Sequence, residues 1–298
     1  MSAPRSTRVE VNGWVVLDKP AFTTSTSAVS RLKFLFNAKK AGHAGTLDPL
    51  ATGILPIAFG EATKTVPFVQ DGEKAYRFTI AWGAETSSDD AEGEVTATSD
   101  MRPSAAQVEA LLPRFIGEIT QIPPAFSAIK IGGERAYDLA RSGAVLDMPP
   151  RQVTIHALRL VHADAGSATL EAECGKGTYV RAIARDLGRA LGCYGHVIAL
   201  RRTRVGPFLE RDAVTFEALE RDGMALLRPV DAGIAEVPSV IVDRQGAAQL
   251  RRGQALVLRG RDAPGEGVIW ASCGGVAIAI GTVEQGALHP ERVFTTPY

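Results

Sequence analysis

The sequence predicts an α+β protein with a large mixed domain over residues 1–232 and a small β domain over residues 233–298. In the large domain, strand-like and helix-like segments are mixed without the regular strand–helix–strand alternation of a doubly wound sheet. Near residue 233 the pattern changes to short apolar runs divided by glycines. With 45% hydrophobic and 22% charged residues, the chain has a globular composition and can bury a large core.

The large domain begins with a short buried strand at residues 14–17, which Asp18-Lys19-Pro20 ends because proline cannot donate to a strand ladder. Residues 27–37 follow the spacing of an amphipathic helix, with Ser27 as its expected N-cap. Residues 74–82 alternate as a strand. One face of that strand carries large apolar side chains, Tyr76, Phe78, Ile80 and Trp82.

Three further elements are predicted before the small domain. Ser104 and Gln107 form a capping box at the start of a helix. Residues 168–174 alternate as a second strand, and a helix follows the turn at residues 175–177 and continues to about residue 191. This helix carries arginines at i, i+4 and i+8 on one face, namely Arg181, Arg185 and Arg189.

The small domain reads as an all-β module with one short helical segment around residues 244–252. Its sequence does not distinguish an RNA-binding module from a module that only stabilises the fold.

Charge is balanced in sum but segregated along the chain. The 33 Lys and Arg residues equal the 33 Asp and Glu residues in number, and strongly basic proteins are the usual nucleic-acid binders. However, residues 85–100 carry acids and no bases, whereas residues 31–40 and 176–204 are rich in bases. A neutral total therefore does not exclude an RNA partner.

Several classes of site and location are disfavoured. The cysteines are odd in number and widely separated, which favours reduced thiols in a cytoplasmic protein: Cys174, Cys193 and Cys273. We expect a soluble protein, because the first thirteen residues lack the apolar core of a secretion signal and the sequence shows no membrane span. The histidines do not have metal-ligand spacing.

Two short patterns resemble known nucleotide or acyl-enzyme sites without completing them. Residues 175–178 (GKGT) lack the Ser or Thr that directly follows the lysine of a phosphate-binding loop. Ser127 and Lys130 form the SxxK pattern of serine acyl-enzymes, but the partner KTG pattern is incomplete. An acyl-enzyme is therefore a weak alternative.

The richest segment is residues 39–64, in which glycines and prolines surround Asp48. One interpretation is that Asp48 caps the turn or helix that follows it. The other is that a carboxylate on a stiff loop beside apolar residues acts as a nucleophile or general base.

Residues 42–53 (GHAGTLDPLATG) resemble the catalytic motif of the tRNA pseudouridine synthase B family, which is related to dyskerin. Further segments are similar to other motifs of this family, in the same order along residues 13–208: Asp18-Lys19-Pro20, residues 60–64, residues 121–124 with 127–130, residues 176–181 and residues 200–202. One departure stands after Lys19-Pro20, where the family often has glycine and this chain has Ala21-Phe22.

The resemblance implies isomerisation of the uridine at position 55 of the tRNA T arm to pseudouridine, without a cofactor or metal ion. It also implies a pseudouridine synthase fold with a central mixed, largely antiparallel sheet and a PUA-like C-terminal domain. The implied partner is the tRNA T stem-loop, and we expect a monomer that needs neither a membrane nor an obligate protein partner.

By resemblance, Asp48 is the catalytic aspartate, Arg181 is its cationic partner, and Tyr76 receives the flipped base and is a candidate for proton transfer. Tyr179 and Leu200 are expected to form walls of the pocket. Further substrate-binding residues implied by the resemblance are His43, Lys19, Lys64, Arg201 and Arg202. The two lysines and two arginines of this set are expected either to contact phosphates or to support the loop that carries Asp48.

Three questions stay open at this point. Asp48 can attack C1′, add to the uracil ring or assist formation of a glycal. A tRNA-binding or folding module without chemistry is a second functional class. We also expect the bases of residues 31–40 and 176–204 to converge around Asp48 while the acids of residues 85–100 face elsewhere, giving local, salt-dependent RNA binding.

Overall fold

The computed structural model of the chain describes residues 7–127, 129–131, 134–135, 147–258 and 264–295. Residues 1–6 and Ala128 of the SxxK pattern lie outside the described residues. The strands in chain order are β1 (Gly13–Lys19), β2 (Ala41–His43), β3 (Thr52–Phe59), β4 (Lys74–Trp82), β5 (Ala84–Thr86), β6 (Val95–Thr98), β7 (Gly117–Gln121), β8 (Lys130–Ile131), β9 (Glu134–Arg135), β10 (Arg151–Ala163), β11 (Ser167–Cys174), β12 (Gly195–Val205), β13 (Phe208–Leu209), β14 (Ser239–Ile241), β15 (Leu256–Val257), β16 (Gly267–Cys273), β17 (Val276–Glu284) and β18 (Ala287–Val293). The α-helices are α1 (Ser25–Leu35), α2 (Val66–Asp71), α3 (Ala105–Leu111), α4 (Val180–Leu191), α5 (Phe216–Asp222) and α6 (Arg244–Arg251), and short 3₁₀ turns include Gly60–Lys64 and Val230–Ile234.

The large sheet has the strand order β1-β3-β12-β4-β11-β10-β7, with β2 paired to β3 and β13 paired to β12. The β3–β12 pair is parallel and joins two antiparallel halves. The predicted mixed, largely antiparallel sheet is thus confirmed. Helices α1 and α4 pack against one hydrophobic core with this sheet, through residues such as Leu32 and Ile183.

Element boundaries differ from the sequence prediction where local hydrogen bonds decide them. Helix α1 begins at Ser25, because Thr24 is its N-cap and accepts a hydrogen bond from the Ser27 N–H at 3.0 Å; the prediction that Ser27 is the cap is wrong. The capping box of Ser104 and Gln107 is confirmed at the start of α3.

Strand β12 was not predicted from the sequence. Its second half, Arg201–Val205, is rich in arginines, and the expected period-two alternation of apolar residues is interrupted by irregular pairing after Val197 and Arg202. The strand nevertheless lies in the middle of the sheet between β3 and β4. It therefore brings Arg202 to the interior of the domain.

The C-terminal residues form a five-stranded sheet in the order β14-β16-β17-β18-β15, covered by α6. This unit has a core of its own, which includes Leu250 and Ile278. A second hydrophobic cluster joins it to the large sheet, with Phe294 and Ile280 packed in the same cluster as Trp14. The domain boundary between residues 232 and 233 stays a prediction.

Candidate active site

Asp48 lies on the loop between β2 and β3, which form an antiparallel pair. The Ala51 N–H donates to the Asp48 carbonyl at 3.1 Å, which makes a tight turn. Gly45 and Gly53 on either side have φ of 98° and 95°, a region that favours glycine. The Asp48 carboxylate is directed to Arg181 at 2.8 Å, so it pairs with the cation of another element. This geometry disfavours the interpretation of Asp48 as a simple cap.

Helix α1 is joined to this loop at its first residue. The Ser25 hydroxyl donates to the Leu47 carbonyl at 3.0 Å and accepts from the Leu47 N–H at 2.9 Å. Because both backbone groups of Leu47 are bonded to one buried hydroxyl, the residue that precedes Asp48 is fixed in two directions.

Two buried cations support the loop that carries Asp48. The Lys19 ammonium donates to the carbonyls of Pro20, Thr23 and Pro49 at 2.9, 2.8 and 3.3 Å. Arg202 donates to the carbonyls of Ile54, Thr46 and Gly45 at 2.8, 3.1 and 3.2 Å. Lys19 is 0% exposed and Arg202 is 2% exposed. Their burial and their contacts match the loop-supporting alternative. A contact of either residue with the substrate stays a prediction.

Arg181, at the start of α4, is buried between two carboxylates. Its guanidinium contacts Asp48 at 2.8 Å and Asp90 at 3.2 Å, and it donates to the carbonyls of Ser88 and Phe126, each at 2.9 Å. The Arg181 and Asp90 side chains are each 5% exposed, whereas Asp48 is 36% exposed. Arg181 is therefore not a solvated helix charge, and Asp48 is the end of this buried network that a substrate can reach.

The other two arginines of α4 pair with acids from the same segment. Arg185 contacts Asp89 at 3.0 Å, and Arg189 forms two hydrogen bonds with Glu85 at 2.7 and 2.6 Å. The expectation that the acids of residues 85–100 face away from the basic helix is wrong for these residues. Segregation along the sequence did not reveal that β5 and the turn after it lie beside α4.

Burial raises the pKa of Asp89 to about 6, and the neighbouring Arg185 acts in the opposite direction. Asp89 also has a φ of 61°, which is uncommon for a residue other than glycine. The turn that aligns the acids with α4 is thus held in place against an electrostatic and a conformational cost.

A small cleft of about 90 Å³ opens beside Asp48 and Arg181. It is lined by the loop that carries Asp48, by β4 and β12, and by the start of α4, through Thr46, Leu47, Asp48, Tyr76, Thr178, Tyr179, Val180, Arg181 and Leu200. Five of the residues singled out in the sequence are thus brought together: Asp48, Tyr76, Tyr179, Arg181 and Leu200.

Tyr76 is half-buried on β4, with its ring at the cleft. Burial raises the pKa of its hydroxyl to about 12, although the adjacent Arg202 acts in the opposite direction. The side chain is therefore a neutral phenol at neutral pH. This favours a ring that packs on a base and a hydroxyl that donates a hydrogen bond over a ready proton acceptor.

Tyr179, the N-cap residue of α4, is held by Gln121 at the end of β7. The Gln121 side-chain oxygen accepts from the Tyr179 N–H at 3.1 Å, and its amide nitrogen donates to the Tyr179 carbonyl at 3.3 Å. Gln121 is 1% exposed. The sequence motif at residues 121–124 did not indicate a role for Gln121, whose two hydrogen bonds fix one wall of the cleft.

Replacing Gln121 with glutamate should lower the free energy of unfolding by about 1–3 kcal/mol. A carboxylate cannot donate to the Tyr179 carbonyl, and it places a charge in a buried position. Urea unfolding measures the change. The control is Gln152→Glu, which acts on an amide whose hydrogen bond to Thr120 is exposed. Equal losses in both variants would contradict the stabilising role of the Gln121 contacts.

The remaining predicted residues lie outside the cleft lining. His43 is half-buried on β2, where it pairs with Ile57. Lys64 donates to the Glu61 carboxylate and to the Val293 carbonyl, both at 2.7 Å, so it connects the 3₁₀ turn Gly60–Lys64 to β18.

Arg201 forms two hydrogen bonds with Asp18, both at 2.9 Å, and also contacts Glu210. These carboxylates, Asp18 first, raise its pKa further above the ordinary value. Arg201 therefore fastens the end of β1 to β12 and already has two acidic partners.

The acyl-enzyme alternative is disfavoured by access. Ser127 is 3% exposed, so its hydroxyl does not face a substrate. Within the part of the chain that the structure describes, no group of three or more His, Cys, Asp or Glu side chains is arranged to hold a metal ion. Among the same residues, no helix is long and apolar enough to span a membrane.

Comparison with known families gives two matches. The family model for the N-terminal domain of TruB family pseudouridylate synthases matches residues 33–180. The model for the tRNA pseudouridylate synthase B C-terminal domain matches residues 181–234.

Two solved structures resemble this one in fold. One is a Cbf5-Nop10-Gar1 complex, with a TM-score of 0.73 and 23% identity over 95% of this chain and 85% of the other. The second is an H/ACA RNP bound to a substrate RNA containing 2′-deoxyuridine, with a TM-score of 0.72 and 21% identity over 95% and 85% of the two chains. At this level of identity they confirm the predicted pseudouridine synthase fold and nothing more.

Curated relatives are much closer in sequence. The chain is similar to tRNA pseudouridine synthase B of Rhodopseudomonas palustris, with 57% identity covering 98% of this chain and 83% of the relative. It is also 57% identical to the protein of the same name from Bradyrhizobium diazoefficiens, over 97% of this chain and 88% of that one. The resemblance inferred from the motifs is confirmed, and the chain belongs to the TruB family of pseudouridine synthases.

Proposed function

We propose that this enzyme converts the uridine at position 55 of the tRNA T arm to pseudouridine. The observation that carries the proposal is the Asp48 carboxylate, held at 2.8 Å by a buried arginine in a cleft lined by Tyr76 and Tyr179. The 57% identical relatives bear the name tRNA pseudouridine synthase B, which supports tRNA as the substrate.

The reaction requires the N1–C1′ bond to break, the uracil to rotate, and a C5–C1′ bond to form while the C5 proton is lost and N1 regains a proton. The target base is stacked in folded RNA, so it must first be flipped out at a cost of a few kcal/mol. We assign Tyr76, Tyr179 and Leu200 to holding the flipped base, since their side chains line the cleft.

Asp48 is assigned to the chemical step. Arg181 binds its Oδ2, which fixes the direction of the carboxylate. We assign the other oxygen, Oδ1, to the substrate. Attack on C1′, addition to the ring and assistance of glycal formation all use this oxygen, and the neutral phenol of Tyr76 makes that side chain the weaker base.

The test uses a T-arm stem-loop carrying C5-tritiated uridine at the target position. We expect release of tritium to water and appearance of pseudouridine at position 55, mapped by primer extension after carbodiimide treatment. An RNA labelled only at other uridines should release no tritium. Binding without release would instead support the alternative of a tRNA-binding or folding module.

The C-terminal residues 233–298 are proposed as a PUA-like unit that contacts RNA. Their support is the basic character of α6 and its end, with Arg244, Arg251 and Arg252. A cytoplasmic location and a monomeric state stay predictions that depend on the tRNA substrate.

The enzyme should show opposite pH dependences of stability and activity in the alkaline range. Burial lowers the pKa of Lys19 to about 8 from 10.5. Between these values the unfolded chain binds more protons, so the free energy of unfolding should rise with pH. Activity should fall, because the uncharged amine no longer donates to all three loop carbonyls.

Urea unfolding and tritium release, each followed from pH 7 to 9, measure the two trends across the lowered pKa of about 8. At higher pH the Cys174 thiol, whose pKa is raised by burial to about 11, opposes the rise in stability. The control is Lys39→Met, which removes an exposed lysine paired with Glu10 and should leave both trends unchanged. If the activity of the parent enzyme does not fall as the pH rises through this range, the proposed role of the Lys19 charge is contradicted.

A further inference from the structure

Phe22, in the loop between β1 and α1, combines a strained backbone with an exposed side chain. Its φ is 59°, in the left-handed region that bulky residues rarely adopt. The residue is 78% exposed, so its ring returns little stability through packing. Glycine would adopt this backbone without strain. Folding alone therefore does not account for a phenylalanine at this position, and strained residues of this kind cluster at functional sites.

The loop that carries Phe22 is fixed against the catalytic loop. The Phe22 N–H donates to the Pro49 carbonyl at 2.7 Å, directly after Asp48 in the chain. This bond and standard covalent geometry place the Phe22 Cα within about 11 Å of the Asp48 Cα. The Lys19 ammonium bonds carbonyls of both loops. Phe22 is thus held beside the catalytic aspartate on a supported backbone.

A flipped uridine leaves its neighbours in the RNA without a stacking partner. Those neighbours remain outside the cleft, because only the target base enters it. An aromatic ring fixed outside the cleft supplies a new face for such a base, and stacking of this kind tolerates any base. We propose that Phe22 stacks on a nucleobase adjacent to the flipped uridine and is a substrate-binding residue of this enzyme. The inference rests on the proposed function, since it assumes a flipped uridine at Asp48.

A second exposed phenylalanine provides a comparison. Phe34 is 88% exposed, but it lies within α1, with a helical backbone, near the end of the helix remote from Ser25 and the catalytic loop. Single exposed apolar residues of this kind are common on protein surfaces. Phe34→Leu is therefore the matched control for Phe22→Leu.

The test measures binding of a T-arm stem-loop RNA by fluorescence anisotropy. Phe22→Leu should raise the Kd about tenfold, Phe22→Tyr should bind like the parent, and Phe34→Leu should have little effect. The ratio of the Kd of Phe22→Leu to the Kd of the parent should stay constant as the salt concentration increases, because stacking releases no counterions. Phe22→Gly should unfold at an equal or higher urea concentration than the parent while binding as weakly as Phe22→Leu, which separates lost stacking from misfolding.

A direct readout places 2-aminopurine at each loop position beside the target uridine in turn. Stacking on the ring should quench its fluorescence at one neighbouring position with the parent and Phe22→Tyr, and not with Phe22→Leu. Loss of one stacked base should raise the Kd by more than about twofold. If the Kd of Phe22→Leu lies within about twofold of that of the parent, the inference is overturned. Tritium release by the parent is scored separately. A parent that binds RNA without release ends the proposed function, while the quenching comparison still decides whether Phe22 stacks on a base.

Discussion

Asp48→Asn should lower the rate of tritium release at least about 10³-fold, because the uncharged amide can act neither as nucleophile nor as base. The variant keeps the shape of the side chain and can still accept a hydrogen bond from Arg181, which the parent carboxylate meets at 2.8 Å. The loop is held by Ser25, Lys19 and Arg202 through other atoms. The affinity for the T-arm stem-loop should therefore remain near that of the parent.

The matched control is Asp71→Asn, which makes the same change on an exposed aspartate paired with Lys176. It should release tritium at the parent rate. Single-turnover release with saturating enzyme separates the chemical step from binding. Undiminished tritium release by Asp48→Asn would show that Asp48 takes no part in the reaction and would favour the interpretation that it caps the turn.

Arg181→Met should abolish activity and also lower the free energy of unfolding by about 3–5 kcal/mol, because it leaves a buried carboxylate without its cation. The carboxylate that loses its cation is that of Asp90, whose side chain is 5% exposed and contacts Arg181 at 3.2 Å. The carbonyls of Ser88 and Phe126 lose their donor as well. Urea unfolding measures the stability, and tritium release measures the activity.

Arg189→Met is the control for this change, on the same helix and with an acidic partner of its own. Its side chain is 52% exposed, so the loss should be at most about 1 kcal/mol. The double variant Arg181→Met with Asp90→Asn should recover part of the stability and none of the activity, because it removes the buried charge without restoring a partner for Asp48. Equal losses for Arg181→Met and Arg189→Met would contradict the buried network.

Much of the fold follows from local patterns in the sequence. Period-two alternation located β4 and β11, and helical spacing located α4. The cleft residues Asp48 and Arg181 were found through ordered motifs, and Tyr76 was found through its place on an alternating strand and the family resemblance, since no single pattern of spacing would have connected residues so far apart in the chain. These identifications needed only short segments of sequence.

The ionic contacts of Arg185 and Arg189 could not be predicted in this way. Which acid meets which arginine depends on how β5 and α4 pack, and the pairs of Arg185 with Asp89 and Arg189 with Glu85 join residues about a hundred positions apart. Lysine and arginine are mostly exposed in proteins, so the sequence left open whether Lys19 and Arg202 meet phosphates or support the loop. Their burial became visible only with the carbonyls that they bind.

The parallel pair of β3 and β12 has a consequence for how the enzyme becomes active. The pair is short, with Thr52 opposite Arg201 and Gly53 opposite Arg202, and a Cβ on Gly53 would lie only 2.3 Å from the Arg202 carbonyl oxygen. A register slip of one residue would turn the Arg202 side chain to the other face and remove its support from the catalytic loop. Closing a contact between residues 148 positions apart is entropically slow. Recovery of activity during refolding should therefore follow assembly of the whole sheet, well after the helices have formed.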